Sequence, residues 1–188
     1  MSIIKINYLT KFHKDQRASG AALIGFVVLS FLLTLMFFLV EVGHVYIAKA
    51  RIQNDMDFAN GSTYAVLNMD KMAYGIYQFH GDGEGESDGY NRALAKYEEK
   101  LCENMMLNPG TLTPVNPAKS DVGGPVQIER FEVYLEDDVP LVNSDGYEID
   151  KVSVYSKIKV PIKLYFQPLF GDYYQAEVSR VTDLEDDL

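Results

Sequence analysis

Twenty consecutive residues, Ala21 to Val40 (AALIGFVVLSFLLTLMFFLV), carry no charge, and no other stretch limits the chain so tightly. As a helix, twenty residues rise roughly 30 Å, the thickness of a bilayer's hydrocarbon core. A helix satisfies its own backbone in lipid, so the run predicts a single membrane-spanning helix. Two other readings bear on the same residues. A cleaved secretory signal peptide would find small residues for its cut at Ala48 and Ala50, although the apolar region of such peptides runs nearer 7–15 residues. A buried helix of a soluble protein would ordinarily keep a polar face over such a length.

The flanks set the expected orientation. Lys5, Lys11, Lys14 and Arg17 face one acid, Asp15, so residues 1–17 carry +3; the whole chain is −10, which leaves −13 for residues 18–188. Basic flanks stay in the cytoplasm. The chain is thus expected in the cell membrane as a single-pass protein, its N-terminus cytoplasmic and its C-terminal part extracytoplasmic. A bilayer met through Ala21 to Val40 is its first predicted partner. The acidic balance excludes the basic surface that a phosphate backbone requires, so nucleic acid is not an expected partner.

Beyond the membrane segment about 145 residues remain, enough for one modest domain with a core of its own. Cys102 is the only cysteine in the sequence, so no internal disulfide can form and packing must hold the domain. Thirteen Tyr and ten Phe, with no Trp, supply that packing.

Six segments follow: a basic leader at 1–20, the membrane helix at 21–42, a helical extension at 43–79, an acidic glycine-rich loop at 80–89, a head at 90–182 and an acidic tail at 183–188. In the extension, Val45, Ile52, Met56, Ala59, Thr63 and Val66 recur at helical spacing, which carries the membrane helix outward to about Tyr64. Gly61 and Gly75 are expected kinks or stops. The loop alternates Asp82, Glu84, Glu86 and Asp88 with small residues. A calcium loop would need glycine sixth and an acid twelfth from Asp82, where Ser87 and Ala93 stand, so a flexible solvated linker is expected.

From a cap at Ser87 or Asp88, a second helix is predicted with Leu94, Tyr97, Leu101 and Met105 on one face, ending at Asn108-Pro109-Gly110. From Val126 the period changes to two, through Ile128, Phe131 and Val133, then Val152 to Phe166, then Tyr173 to Val181. Asn143-Ser144-Asp145-Gly146 is a turn, and Pro161 inside the long strand marks an edge or bulge. The fold class is α+β: a long N-terminal helix packed on a small antiparallel sheet, with a second short helix.

No catalytic, cofactor or metal site is expected. The histidines His13, His44 and His80 are scattered, and the metal, nucleophile-elbow and phosphate-loop motifs are missing. His44 beside Tyr46 suits the membrane interface, where amphipathic rings anchor.

Two stretches carry a family likeness. The first is Arg17-Ala18-Ser19-Gly20-Ala21-Ala22-Leu23. The second runs from Val42 through Gly43, His44, Tyr46, Lys49, Arg51, Ile52, Gln53 and Asn54 to Asp57 and Ala59. With one N-terminal membrane helix, a helical extension and a β-rich head, this resembles the type IV pilin-like class, and within it the TadE/TadG-like pseudopilins of tight-adherence (Flp-type) pili. The likeness covers residues 17–65. It implies a pilin-like fold and a minor pilin or accessory role in pilus assembly, adhesion or secretion, without enzymatic activity. It further implies other pilin-like subunits or pilus assembly proteins as partners, and cleavage after Gly20 by a prepilin peptidase, leaving Ala21 first. Pilins of this class usually carry a glutamate fifth after the cut; here that residue is Gly25. The alternative is a single-pass, signal-anchored extracytoplasmic binding module unrelated to any filament.

Overall fold

The computed structural model describes residues 3–79 and 86–183, with side chains from residue 20 onward except those of 86–88 and 168. The chain divides into two units, Met1–Gly43 and His44–Leu188. Its class is α+β, with one long apolar N-terminal helix, a shorter second helix and small antiparallel sheets.

Helix α1 spans Ile3–Gly61. It stops where Ser62 and Thr63 turn their hydroxyls onto the carbonyls of Ala59 (2.6 Å) and Asn60 (2.7 Å), competing with the helical ladder. One 3₁₀ turn, Ser62–Val66, follows. The short helix α2, Met69–Met72, is capped by the Asn68 side chain, and Gly75 then reverses the chain at φ +76°. Helix α3 is Glu86–Met105. It begins inside the segment expected as loop and ends short of Asn108. Acidic residue types favour a helix's first turn, and Met106 at φ +54° breaks the helix before the proline is reached. Residues 80–85 of the loop, with Asp82 and Glu84, lie outside the described residues.

The strands are β1 (Leu107–Asn108), β2 (Thr113–Pro114), β3 (Gln127–Tyr134), β4 (Leu141–Val142), β5 (Glu148–Ile149), β6 (Ser153–Lys163) and β7 (Tyr173–Asp183), with a one-turn helix α4 (Gln167–Phe170) before the last. β3, β6 and β7 form an antiparallel sheet with β6 central, while β1–β2 and β4–β5 are separate hairpins. Asp183, expected in the tail, closes β7, where the Ser153 hydroxyl holds its carboxylate at 2.8 Å. Residues 184–188 lie outside the described residues.

Pro161 lies in the central strand, although its missing N–H cannot donate to a ladder there. β3 pairs with β6 no further than Lys159, and beyond it the Pro161 carbonyl accepts from Gly123 N at 2.7 Å. In an antiparallel pair a residue's N–H and C=O face the same neighbour, so the missing donor points toward this short bridge and the β7 ladder is intact. Pro161 sits on a local edge of an otherwise central strand.

Within the second unit one core forms. Ala48, Ile52, Met56 and Ala59 of α1, and Ala93, Tyr97, Leu101 and Met105 of α3, share a buried cluster with Val154, Ile158, Val160 and Ile162 of β6. Those positions follow the helical and strand periods of the sequence. Tyr97 stacks on Phe131 of β3 with ring centroids 5.0 Å apart, and the Tyr90 hydroxyl donates to the Phe131 carbonyl at 2.7 Å. Cys102 is buried beside Leu101 as a small core residue.

The opposite face of the sheet is also partly covered. The β4–β5 hairpin turns at Asn143–Gly146, where Asn143 Oδ1 accepts from Asp145 N (3.1 Å) and Tyr147 N (2.9 Å) and Gly146 takes φ +85°. It brings Tyr147 against Tyr155, ring centroids 5.6 Å apart, and Tyr155 is wholly buried.

Candidate functional site

In the first unit the described side chains are almost all exposed. The most apolar stretch of α1 has mean hydropathy 2.8 and none of it is buried; Phe26 is 71 % and Phe31 66 % exposed. So large an apolar surface exceeds what a soluble monomer leaves open to water. By length and composition this is one helix able to cross a membrane, as an anchor or as a signal sequence near the N-terminus. Thr34, one of its few polar residues, donates its hydroxyl to the Ser30 carbonyl at 2.9 Å, a bond that needs no water.

The residues singled out by sequence sit as follows. Gly20 and Ala21 are exposed within α1. A Cβ placed on Gly25 or Gly43 meets nothing within 4 Å, so packing inside this chain does not require glycine at either place. Arg17's side chain lies outside the described ones. Tyr46 is 75 % exposed, Asn54 exposed and Gln53 half-buried. Arg51 pairs with Asp121 at 3.2 Å, largely in solvent, where such a pair contributes little.

Asp57 does more. The Arg180 guanidinium grips it through two nitrogens, Nε at 2.8 Å and Nη2, and the Thr182 hydroxyl adds a third bond at 3.2 Å. This fork ties α1 to β7, and the carboxylate beside Arg180 raises the guanidinium's pKa above its ordinary range. One turn on, buried Asn60 donates through Nδ2 to Thr182 Oγ1 at 3.1 Å. Ahead of both, His44 Nε2 lies 2.9 Å from the Lys163 carbonyl oxygen and its ring stacks on Tyr165 at 3.9 Å. A carbonyl only accepts, so the ring nitrogen donates. Three polar clasps, at His44, Asp57 and Asn60, thus fix the outer part of α1 to β6, β7 and the segment between them.

Two features escaped the sequence reading. Asp145 joins Arg130 (3.3 Å), Lys157 (3.5 Å) and the Tyr155 hydroxyl. That hydroxyl first, then Arg130, holds its carboxyl below the usual carboxylate range, while burial and the carboxylate push the Tyr155 phenol up. A turn signal was all the sequence showed there. The second feature is the turn from β6 into the first residues of β7, whose density of aromatics (LYFQPLFGDYY) was its available signal.

Among the described residues no group of three His, Cys, Asp or Glu is placed to hold a metal ion. Among the described residues a hollow of about 780 Å³ lies between Lys71–Phe79 and Glu136–Asp138. Comparisons with protein-family models, curated proteins and solved structures return no match to this chain.

Proposed function

We propose that this protein is a single-pass, membrane-anchored structural subunit that works by assembly with other proteins: a pseudopilin-like minor pilin or accessory of a tight-adherence pilus or related secretion system. The supporting observation is that α1 carries both the exposed apolar run and, from His44 to Gly61, a share of the head's core. Anchor and recognition domain are then one continuous element, as a filament subunit requires. A signal-peptidase cut after Ala50 would strip away His44, with its bond to Lys163, and the buried Ala48, which favours a retained helix over a discarded signal.

The test is N-terminal sequencing of the protein recovered from cells with and without the prepilin peptidase. A start at Ala21 in the first and Met1 in the second is expected; Met1 in both removes the processing claim. One observation favours the second reading, a signal-anchored binding module outside any filament. Gly25 offers no carboxylate to pair with a neighbour's terminal amine. Co-purification separates the two: pilus ATPase and platform proteins accompany a filament subunit, and cell-wall material without them accompanies a binding module.

A further inference from the structure

The turn from β6 into the first residues of β7 is an apolar tip on an acidic protein. Between Leu164 and Ala176 its only charged residue is Asp172, in a chain of net charge −10. Tyr165 is 63 % exposed, Leu169 54 %, Tyr173 53 % and Tyr174 49 %. The tip is nonetheless well held. Leu164 N donates to the Asp172 carbonyl at 3.1 Å, Gly171 N to that of Gln167 at 2.9 Å, and Gly171 turns the chain at φ +95°. Ordered aromatics kept open to solvent are side chains waiting for a surface.

Its position along the chain says which surface. The tip is clasped to His44 by the Lys163 carbonyl and by the stack on Tyr165. His44 follows Val40 by four residues, so it lies at most about 14 Å from the end of the apolar run in any conformation, and about 6 Å along a helix. The headgroup layer is roughly 5–8 Å deep on each side of the hydrocarbon core. Tyr rings collect there, with apolar bodies toward the acyl chains and hydroxyls toward water. The tip's near-neutrality avoids the repulsion that the rest of this acidic head would meet at anionic lipid.

We propose that the β6–β7 tip, Tyr165 to Tyr174, seats in the headgroup layer of the membrane that α1 crosses, giving the head a second lipid contact beside its helix. The proposal rests on Ala21 to Val40 being a membrane span, and its test separates the two. The sequence has no Trp, so single Trp reporters can be placed in the full chain. Four variants would be reconstituted in phosphatidylcholine–phosphatidylglycerol vesicles with acyl chains brominated near the carbonyl: Phe38→Trp in the apolar run, Tyr165→Trp and Leu169→Trp in the tip, and Tyr74→Trp at an exposed site elsewhere. Quenching of Phe38→Trp, with the tip reporters quenched roughly twofold or more beyond Tyr74→Trp, is the expected result. Tip reporters that match Tyr74→Trp while Phe38→Trp is quenched overturn the tip contact and leave the span standing. Tip reporters shielded from acrylamide yet untouched by bromolipid assign the tip to a second copy of the chain, and also overturn it. An unquenched Phe38→Trp removes the span and the tip contact together.

Discussion

Replacing Met56 by alanine measures whether the outer part of α1 belongs to the head or merely lies along it. Met56 is wholly buried on the face of α1 that enters the core. Truncation removes three heavy-atom groups beyond Cβ, and at about 0.8 kcal/mol each the lost transfer energy is about 2.4 kcal/mol. A residual cavity adds to this, so a total of about 3 kcal/mol is expected, within the range of about 2–5 measured for such changes. For a domain of this size a urea slope of about 2 kcal/mol/M converts that into a midpoint lowered by about 1.5 M. Phe58, two residues on and 73 % exposed, is the control, because Phe58→Ala should stay within about 0.5 kcal/mol of the parent. The assay is urea unfolding of the full chain in detergent micelles, followed by near-ultraviolet circular dichroism of the head's tyrosines. Equal midpoints for Met56→Ala and Phe58→Ala would refute the idea that helix and head fold as one.

Further outcomes follow from the polar clasps and the thiol. A double-mutant cycle between Asp57→Ala and Arg180→Ala should give a coupling of about 1 kcal/mol, reduced from a buried pair's value because both side chains are partly exposed; an uncoupled pair would show that the fork does not hold α1 to β7. Asp145 has its folded pKa below its ordinary value of 3.8, so its contribution is complete above that value and fades as pH falls through the lowered one. The parent should accordingly be more stable than Asp145→Asn at neutral pH and converge with it in acid; a gap that widened on acidification would contradict this. Cys102 is 6 % exposed and burial pushes its thiol pKa up, so a maleimide should label it in urea and not before. In a Cys102→Ser background, Met106→Cys is exposed and should react with a membrane-impermeant maleimide applied outside intact cells; labelling that required lysis would reverse the expected topology.

The elements were largely legible because periodicity reports burial. Ile52, Met56 and Ala59 at helical spacing, and Ile158, Val160 and Ile162 at alternate positions, are the core, since a helix or strand with one wet face must place its apolar residues that way. The candidate anchor was legible for a stronger reason, because twenty uncharged residues need no partner in the chain to state their preference for lipid. Boundaries shifted where local chemistry outweighed period, as at Met106, where a left-handed residue stops α3, and at Asp183, which Ser153 draws into β7.

Pairings across the fold had no such signal. Asp57 with Arg180, Asn60 with Thr182 and His44 with Lys163 join residues more than one hundred positions apart, and polar partners carry no period by which one could find the other. Nor could alternation alone reveal that Tyr155, on the face opposite Val154 and Ile158, is buried beneath the β4–β5 hairpin, or that Pro161 stands on a local edge of the central strand. Sequence by itself determined which segments seek lipid, helix and sheet, because those preferences are local. Tertiary structure decided which side chains meet, that the second face of the sheet is also partly covered, and that the aromatic tip is clasped to His44, because contact depends on where the chain returns in space.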